Sequence, residues 1–324
     1  MKPYTWIPGQ GPDLEALRRM QRHFPMPSQP MGEAWFMGSE RQLYHNLLRD
    51  SAALDASEIF EAVEVTVSGT TCFGRLDEWR EWYHYLLPRV LDRSLERFSG
   101  QYLVEILMTG FVTQYPRGVQ KEPYAGFRED ALLTLGRCLM HESCWDGGVI
   151  RIGRMFYQPG GLPNGQWGWW DASGDFSASM TFCLKYLPVE QVEGWLRSVF
   201  RITDPHWRAQ LVVWYLGMQD YCLQSERSLP GSWPNPGCPN IAWAGCDYIN
   251  DYLYENNKDA IAENDAFIPA ANRQALQATV TALLDEKTFM EWLQSFSAVP
   301  YLEAELGDLP YQFWSQQRRD GRTV

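Results

Sequence analysis

The chain has 324 residues, 45% hydrophobic and 21% charged, enough to bury a sizeable core in one large domain or two of ordinary size. Lys and Arg number 28 against 40 Asp and Glu, and the net charge of −12 argues against nucleic-acid binding, which needs a basic face. No apolar run approaches the ~20 residues of a membrane-spanning helix. The opening residues, MKPYTWIPGQGPD, hold no apolar leader core, so a cytoplasmic protein is expected.

In chain order, helices are expected over 13–24, 40–49 and 55–64. The stretch 64–74, EVTVSGTTCFG, alternates around Ser68-Gly69 and reads as one short hairpin. From there the apolar positions Trp79, Trp82, Tyr83, Leu86, Leu87, Val90, Leu91 and Leu95 form one helical stripe, which Pro88 should kink or divide. Helices follow over 101–114 and from Phe127 to about Cys144. Asp175 or Ser177 is placed to cap a helix ending near Leu187. Pro188 fits the first turn of the next, VEQVEGWLRSVF, and Asp204-Pro205 the start of HWRAQLVVWYLGMQDYC. The last helices are expected at 246–262, 269–285 and 286–297.

Continuous helical patterning with short breaks points to an all-α fold, a curved stack of antiparallel helix pairs with at most one small β-hairpin. It reads as a single helical domain, 1–324, with sub-domains 1–157 and 177–316 joined by a Gly- and Trp-rich loop, 158–176. Phe127-Arg128, followed by Ala131-Leu132-Leu133 and Leu135-Gly136, is echoed 80 residues later by Trp207-Arg208, Leu211-Val212-Val213 and Leu216-Gly217. On these residues the chain resembles HEAT-type helical-repeat proteins, whose period is about half that spacing. The resemblance implies a superhelix, and an irregular helical bundle is the alternative.

Seven cysteines include no C-x-x-C pair, and Cys138, Cys183 and Cys222 lie in apolar helical stretches, as buried reduced thiols would. His141-Glu142 is half of a zinc motif, but position 145, where the second His would stand, is Trp145, and a polar helix end is the better reading. No phosphate-binding loop, dinucleotide fingerprint or nucleophile elbow occurs, so neither cofactor nor metal is expected.

Tryptophan is the outlier, with 15 residues. Two Gly/Pro-rich segments, 158–176 and 228–245, carry Trp167, Trp169, Trp170, Trp233 and Trp243 where no regular core face exists. Asp171 and Asp175 flank the first of them. Two carboxylates beside indoles would suit an all-α enzyme acting on glycans, and helix capping is the competing reading. Residues 243–308 hold twelve acids against Lys258, Arg273 and Lys287, nine of the twelve net negative charges. Asp247, Asp251 and Glu255 recur every fourth residue, interleaved with Tyr248 and Tyr252, which on a helix gives an acidic side with aromatic anchors. The expected function is therefore non-catalytic binding of a basic protein. By type the chain is similar to bacterial immunity and antitoxin proteins, and the similarity implies an inhibitor that covers a basic toxin's active site. A helical-repeat scaffold is a further alternative. The expected partner-binding residues are the five tryptophans, Asp171, Asp175, Asp247, Tyr248, Asp251, Tyr252 and Glu255.

Overall fold

Apolar residues three and four apart build almost every regular element. The computed structural model describes residues 3–28, 48, 54–68, 76–98, 103–151, 154, 174–218, 267–297, 307 and 309–319, with backbone alone at 68, 76, 94–98 and 316–319. Within these the protein is all-α with one two-stranded hairpin. The helices are α1 (Leu14–His23), α2 (Ala56–Ser68), α3 (Leu76–Phe98), α4 (Leu103–Gln114), α5 (Phe127–Leu133), α6 (Gly174–Tyr186), α7 (Val189–Phe200), α8 (Pro205–Met218), α9 (Ala270–Leu283), α10 (Glu286–Ser297) and α11 (Leu309–Arg319). Two 3₁₀ segments, Leu135–Met140 and Glu142–Cys144, lead into β1 (Trp145–Asp146) and β2 (Val149–Ile150). None of these helices is long and apolar enough to cross a membrane. The helix expected over 246–262 lies outside the described residues, as does that over 40–49 apart from Leu48, which sits in a turn.

The hairpin is not where β-branched alternation placed it. Residues 64–68 continue α2 as helix, with Ile59, Phe60, Ala62, Val63, Thr66 and Val67 buried along one side. Extending the window back to Ile59 recovers a helical period. Packing on α3 outweighs the few tenths of a kcal/mol that each β-branched residue costs a helix. The observed hairpin is Trp145 to Ile150, paired in register with Gly147-Gly148 as its two-residue loop. Both glycines have positive φ, 56° and 92°, the geometry of a type I′ turn.

Helices α2, α3 and α4 run alternately. The Trp79 indole near the start of α3 donates to the Thr66 carbonyl near the end of α2. Arg80 meets Gln114 at the other end of α4. Gly110 permits this approach, since a Cβ there would lie 2.4 Å from the Tyr83 ring. The Tyr83 hydroxyl bonds the Leu107 carbonyl at 2.5 Å. Pro88 sits inside a continuous α3, where the Arg89 guanidinium donates to the Tyr85 carbonyl at 2.6 Å and stacks over the Tyr85 ring.

By contrast, α6 lies parallel to α4. Asp175 Oδ1 accepts the Glu105 amide at 2.8 Å, Phe182 packs edge-on against Phe111 at 5.2 Å, and the Tyr186 hydroxyl donates to the Tyr115 carbonyl at 2.8 Å. Asp175 is thus a cap, as one reading of the sequence had it, but it caps α4 rather than its own helix. Asp204 caps α8 as expected, accepting the His206 and Trp207 amides at 2.9 and 3.0 Å. Its second oxygen takes the Ile150 amide at 3.1 Å, so one carboxylate anchors both the helix and the hairpin.

The helix expected from Phe127 to Cys144 breaks after Leu133. The N-terminal segment docks at this break. Tyr4 Oη lies 2.9 and 2.8 Å from the Leu132 and Gly136 carbonyls, and the Trp6 indole donates to Gly136 at 2.8 Å. These donors bind where α5 gives way to 3₁₀ turns. Trp6 then meets Trp195 and Trp207 edge-on at 5.4 and 5.9 Å. Trp6, Trp79, Trp82, Trp145, Trp195, Trp207, Trp214 and Trp292 are all buried in one apolar cluster that runs from Tyr4 to Phe313. Cys138, Cys144 and Cys183 are buried free thiols, and burial pushes Cys183 up to about 12.

Candidate functional site

Of the residues singled out for partner binding, Asp175 is described: it is buried, 6% exposed, with its carboxylate on the α4 terminus. Trp167, Trp169, Trp170, Asp171, Trp233, Trp243, Asp247, Tyr248, Asp251, Tyr252 and Glu255 lie outside the described residues. The described portion of the acidic segment is α9, α10 and the turn between them.

On α10, Phe289, Trp292 and Phe296 face the core. Their spacing of three and four leaves Glu286, Lys287, Met290, Glu291, Gln294 and Ser297 exposed on the opposite face. Asp285 starts the helix by accepting the Thr288 amide at 2.8 Å, and that hydrogen bond holds its carboxyl below the usual range. A shallow depression of about 550 Å³ runs along this face from Lys287 to Ser297. Met290 is 51% exposed in it, an apolar and adaptable side chain bordered by Glu286 and Glu291. The Lys287–Glu291 pair, at 3.9 Å, is fully exposed and adds little to stability.

A second concavity, about 730 Å³, opens where α3 meets the end of α4. Pro116 ends α4 because it cannot supply the next amide, and Gly118, at φ 85°, turns the chain back. The loop 116–123 forms one wall and α3 the other. His84 and Tyr115 form the floor, with His84 Nε2 2.8 Å from the Tyr115 hydroxyl. The imidazole stacks on Phe24 at 4.5 Å and meets Phe127 edge-on. Burial, with the nearby Arg80 charge, lowers its pKa to about 3, so it is neutral at physiological pH. Burial raises the Tyr115 hydroxyl, which stays protonated. Arg80, Arg117 and Lys121 line the rim, and Gln114 accepts the Arg80 Nε at 2.9 Å. Among the described residues, Glu122 is the one acid lining this concavity. Its two oxygens accept the Gly126 and Arg128 amides at 2.9 and 3.0 Å, fixing the start of α5.

The sequence reading passed over this cleft. His84 sits inside an aromatic run, Trp82-Tyr83-His84-Tyr85, and looks like part of a core stripe. The available signal was the neighbouring P-R-G-V-Q-K-E-P segment, basic and turn-forming in an acidic chain.

A third depression, about 540 Å³, lies at the hairpin and is lined by His141, Glu142, Ser143, Asp146, Arg151 and Arg154. Here His141 is a polar helix end, as expected: its Nδ1 accepts the Ser143 amide at 3.2 Å and caps the short 3₁₀ segment. Trp145 turns inward and donates to the Leu139 carbonyl at 2.7 Å. Among the described residues no three His, Cys, Asp or Glu side chains converge as a metal-ligand set.

No family model, curated protein or solved structure matches the chain.

Proposed function

We propose that the chain acts by binding a basic protein, without catalysis, in the manner of an acidic immunity or antitoxin protein that covers its partner's active site. The observation that carries this reading is the concentration of acid in residues 243–308, nine of the twelve net negative charges. The exposed face of α10 fits it, since Glu286 and Glu291 border a half-exposed Met290. Acids that ring an apolar anchor steer a cationic surface during encounter, while the anchor supplies desolvated contact once docked.

The test uses the full chain and the basic product of the gene adjacent to its own, with association followed by stopped-flow fluorescence. The association rate should fall steeply as salt rises, and Glu286→Lys with Glu291→Lys should slow it by about tenfold or more. Failure of the two purified proteins to associate, or an association rate indifferent to salt, ends the reading.

A further inference from the structure

The cleft between α3 and the 116–123 loop has the wrong sign for its protein. In a chain of net charge −12, its rim presents Arg80, Arg117 and Lys121 against a single carboxylate. That carboxylate, Glu122, is turned to the α5 terminus, where it accepts two backbone amides. Lys121 is exposed and makes no ion pair among the described residues. Arg80 uses its Nε on Gln114 and keeps the rest of its planar fork for another acceptor.

The floor is as informative as the rim. His84 and Tyr115 are buried polar groups that share one hydrogen bond of 2.8 Å. In the Nε2–H tautomer of the neutral imidazole, that pair holds two hydrogens. When Nε2–H donates to the phenol oxygen, the phenol hydrogen points to the cleft as a donor. The walls add Pro116 and Pro123. A volume of about 730 Å³ lies within the ~300–1,000 Å³ of small-molecule sites.

We infer that this cleft binds a small phosphate monoester, its dianion held by Arg80 and Lys121 with Tyr115 donating from the floor, and its organic part lying against the proline wall and the aromatic floor. A doubly charged group gains more from a cluster of cations than a carboxylate does, and the guanidinium fork matches phosphate oxygens in pairs. A polymeric phosphate backbone is disfavoured, because a long polyanion meets the protein's overall negative charge. A compact ligand feels mainly the local rim, since charges beyond ~8 Å are screened at physiological salt.

The experiment is isothermal titration of the full chain with phenyl phosphate, inorganic phosphate, benzoate and phenol. Phenyl phosphate should saturate one site, more tightly than the other three. The double variant Arg80→Gln/Lys121→Gln should weaken it by about tenfold or more. Tyr115→Phe, which keeps the ring, should weaken it several-fold while near-ultraviolet circular dichroism stays native. Arg18→Gln, an exposed change on α1, should leave it unchanged. The inference is overturned by benzoate or phenol matching phenyl phosphate, by an affinity indifferent to the double variant, or by no saturation below about 10 mM.

Discussion

The cleft beside α3 and the outer face of α10 are opposites in charge and in construction. The cleft is cationic, and its floor belongs to the core: His84 and Tyr115 are packed with Phe24, Phe111, Tyr124 and Phe127 in one group of rings. The α10 face is anionic at Glu286 and Glu291, and its side chains project from a helix whose other side does the packing. Geometry at the first site is inseparable from folding, whereas the second can be rewritten without touching the core. A rigid, built concavity suits a small ligand, and an open helical face suits a protein surface.

That contrast can be broken most decisively at Phe127, which touches five of those rings and is fully buried. Phe127→Ala should cost about 3–5 kcal/mol in urea unfolding. A loss no larger than that of a surface substitution would show that the cleft floor is not part of the cooperative core.

The next effect is in pH. His84 has its folded pKa lowered to about 3, below its unfolded value, so the unfolded chain binds a proton that the folded chain refuses. Its contribution is fully present above about pH 6.5 and is lost as pH falls toward 3, with a slope approaching 1.4 kcal/mol per unit. His206, also lowered by burial, acts in the same direction. His84→Gln should remove its share of the slope in unfolding titrations from pH 7 to 5, and an unchanged slope would refute the assignment.

A smaller effect is expected at Asp130, behind the cleft floor. Its carboxylate takes Arg19 through both oxygens and the Tyr124 hydroxyl at 2.8 Å. Asp130→Asn should cost about 2 kcal/mol, since the half-exposed Arg19 can return to water. Smallest of all, Met290→Ala and Glu286→Gln on α10 should each shift stability by no more than about 0.5 kcal/mol. Should they destabilise as much as Asp130→Asn, the α10 face is packed and not free for a partner.

Periodicity made the long helices legible. Helices α7, α9 and α10 fall close to their expected bounds because one repeating face is enough to specify them. The errors came where a tertiary partner decided. Residues 64–68 alternate like a strand, yet α3 and Gly110 packed against them favour helix. The Trp145–Ile150 hairpin had a local signal in its Gly-Gly turn, which helical patterning on either side obscured. The break after Leu133 had none, because the groups that use its carbonyls, Tyr4 and Trp6, lie more than a hundred residues away in sequence. For the same reason the basic loop 116–123 alone did not reveal the cationic cleft: Arg80 and Lys121 are ordinary surface residues until folding sets them around His84.

The N-terminal strap has a consequence for biosynthesis. The Trp6 amide donates to Ser198, a partner 192 positions further along. At translation speeds of roughly 5–20 residues per second, Trp6 is synthesised about 10–40 s before Ser198. Through that interval the nascent polypeptide holds two aromatic side chains without their pocket. Their burial waits on helices made much later.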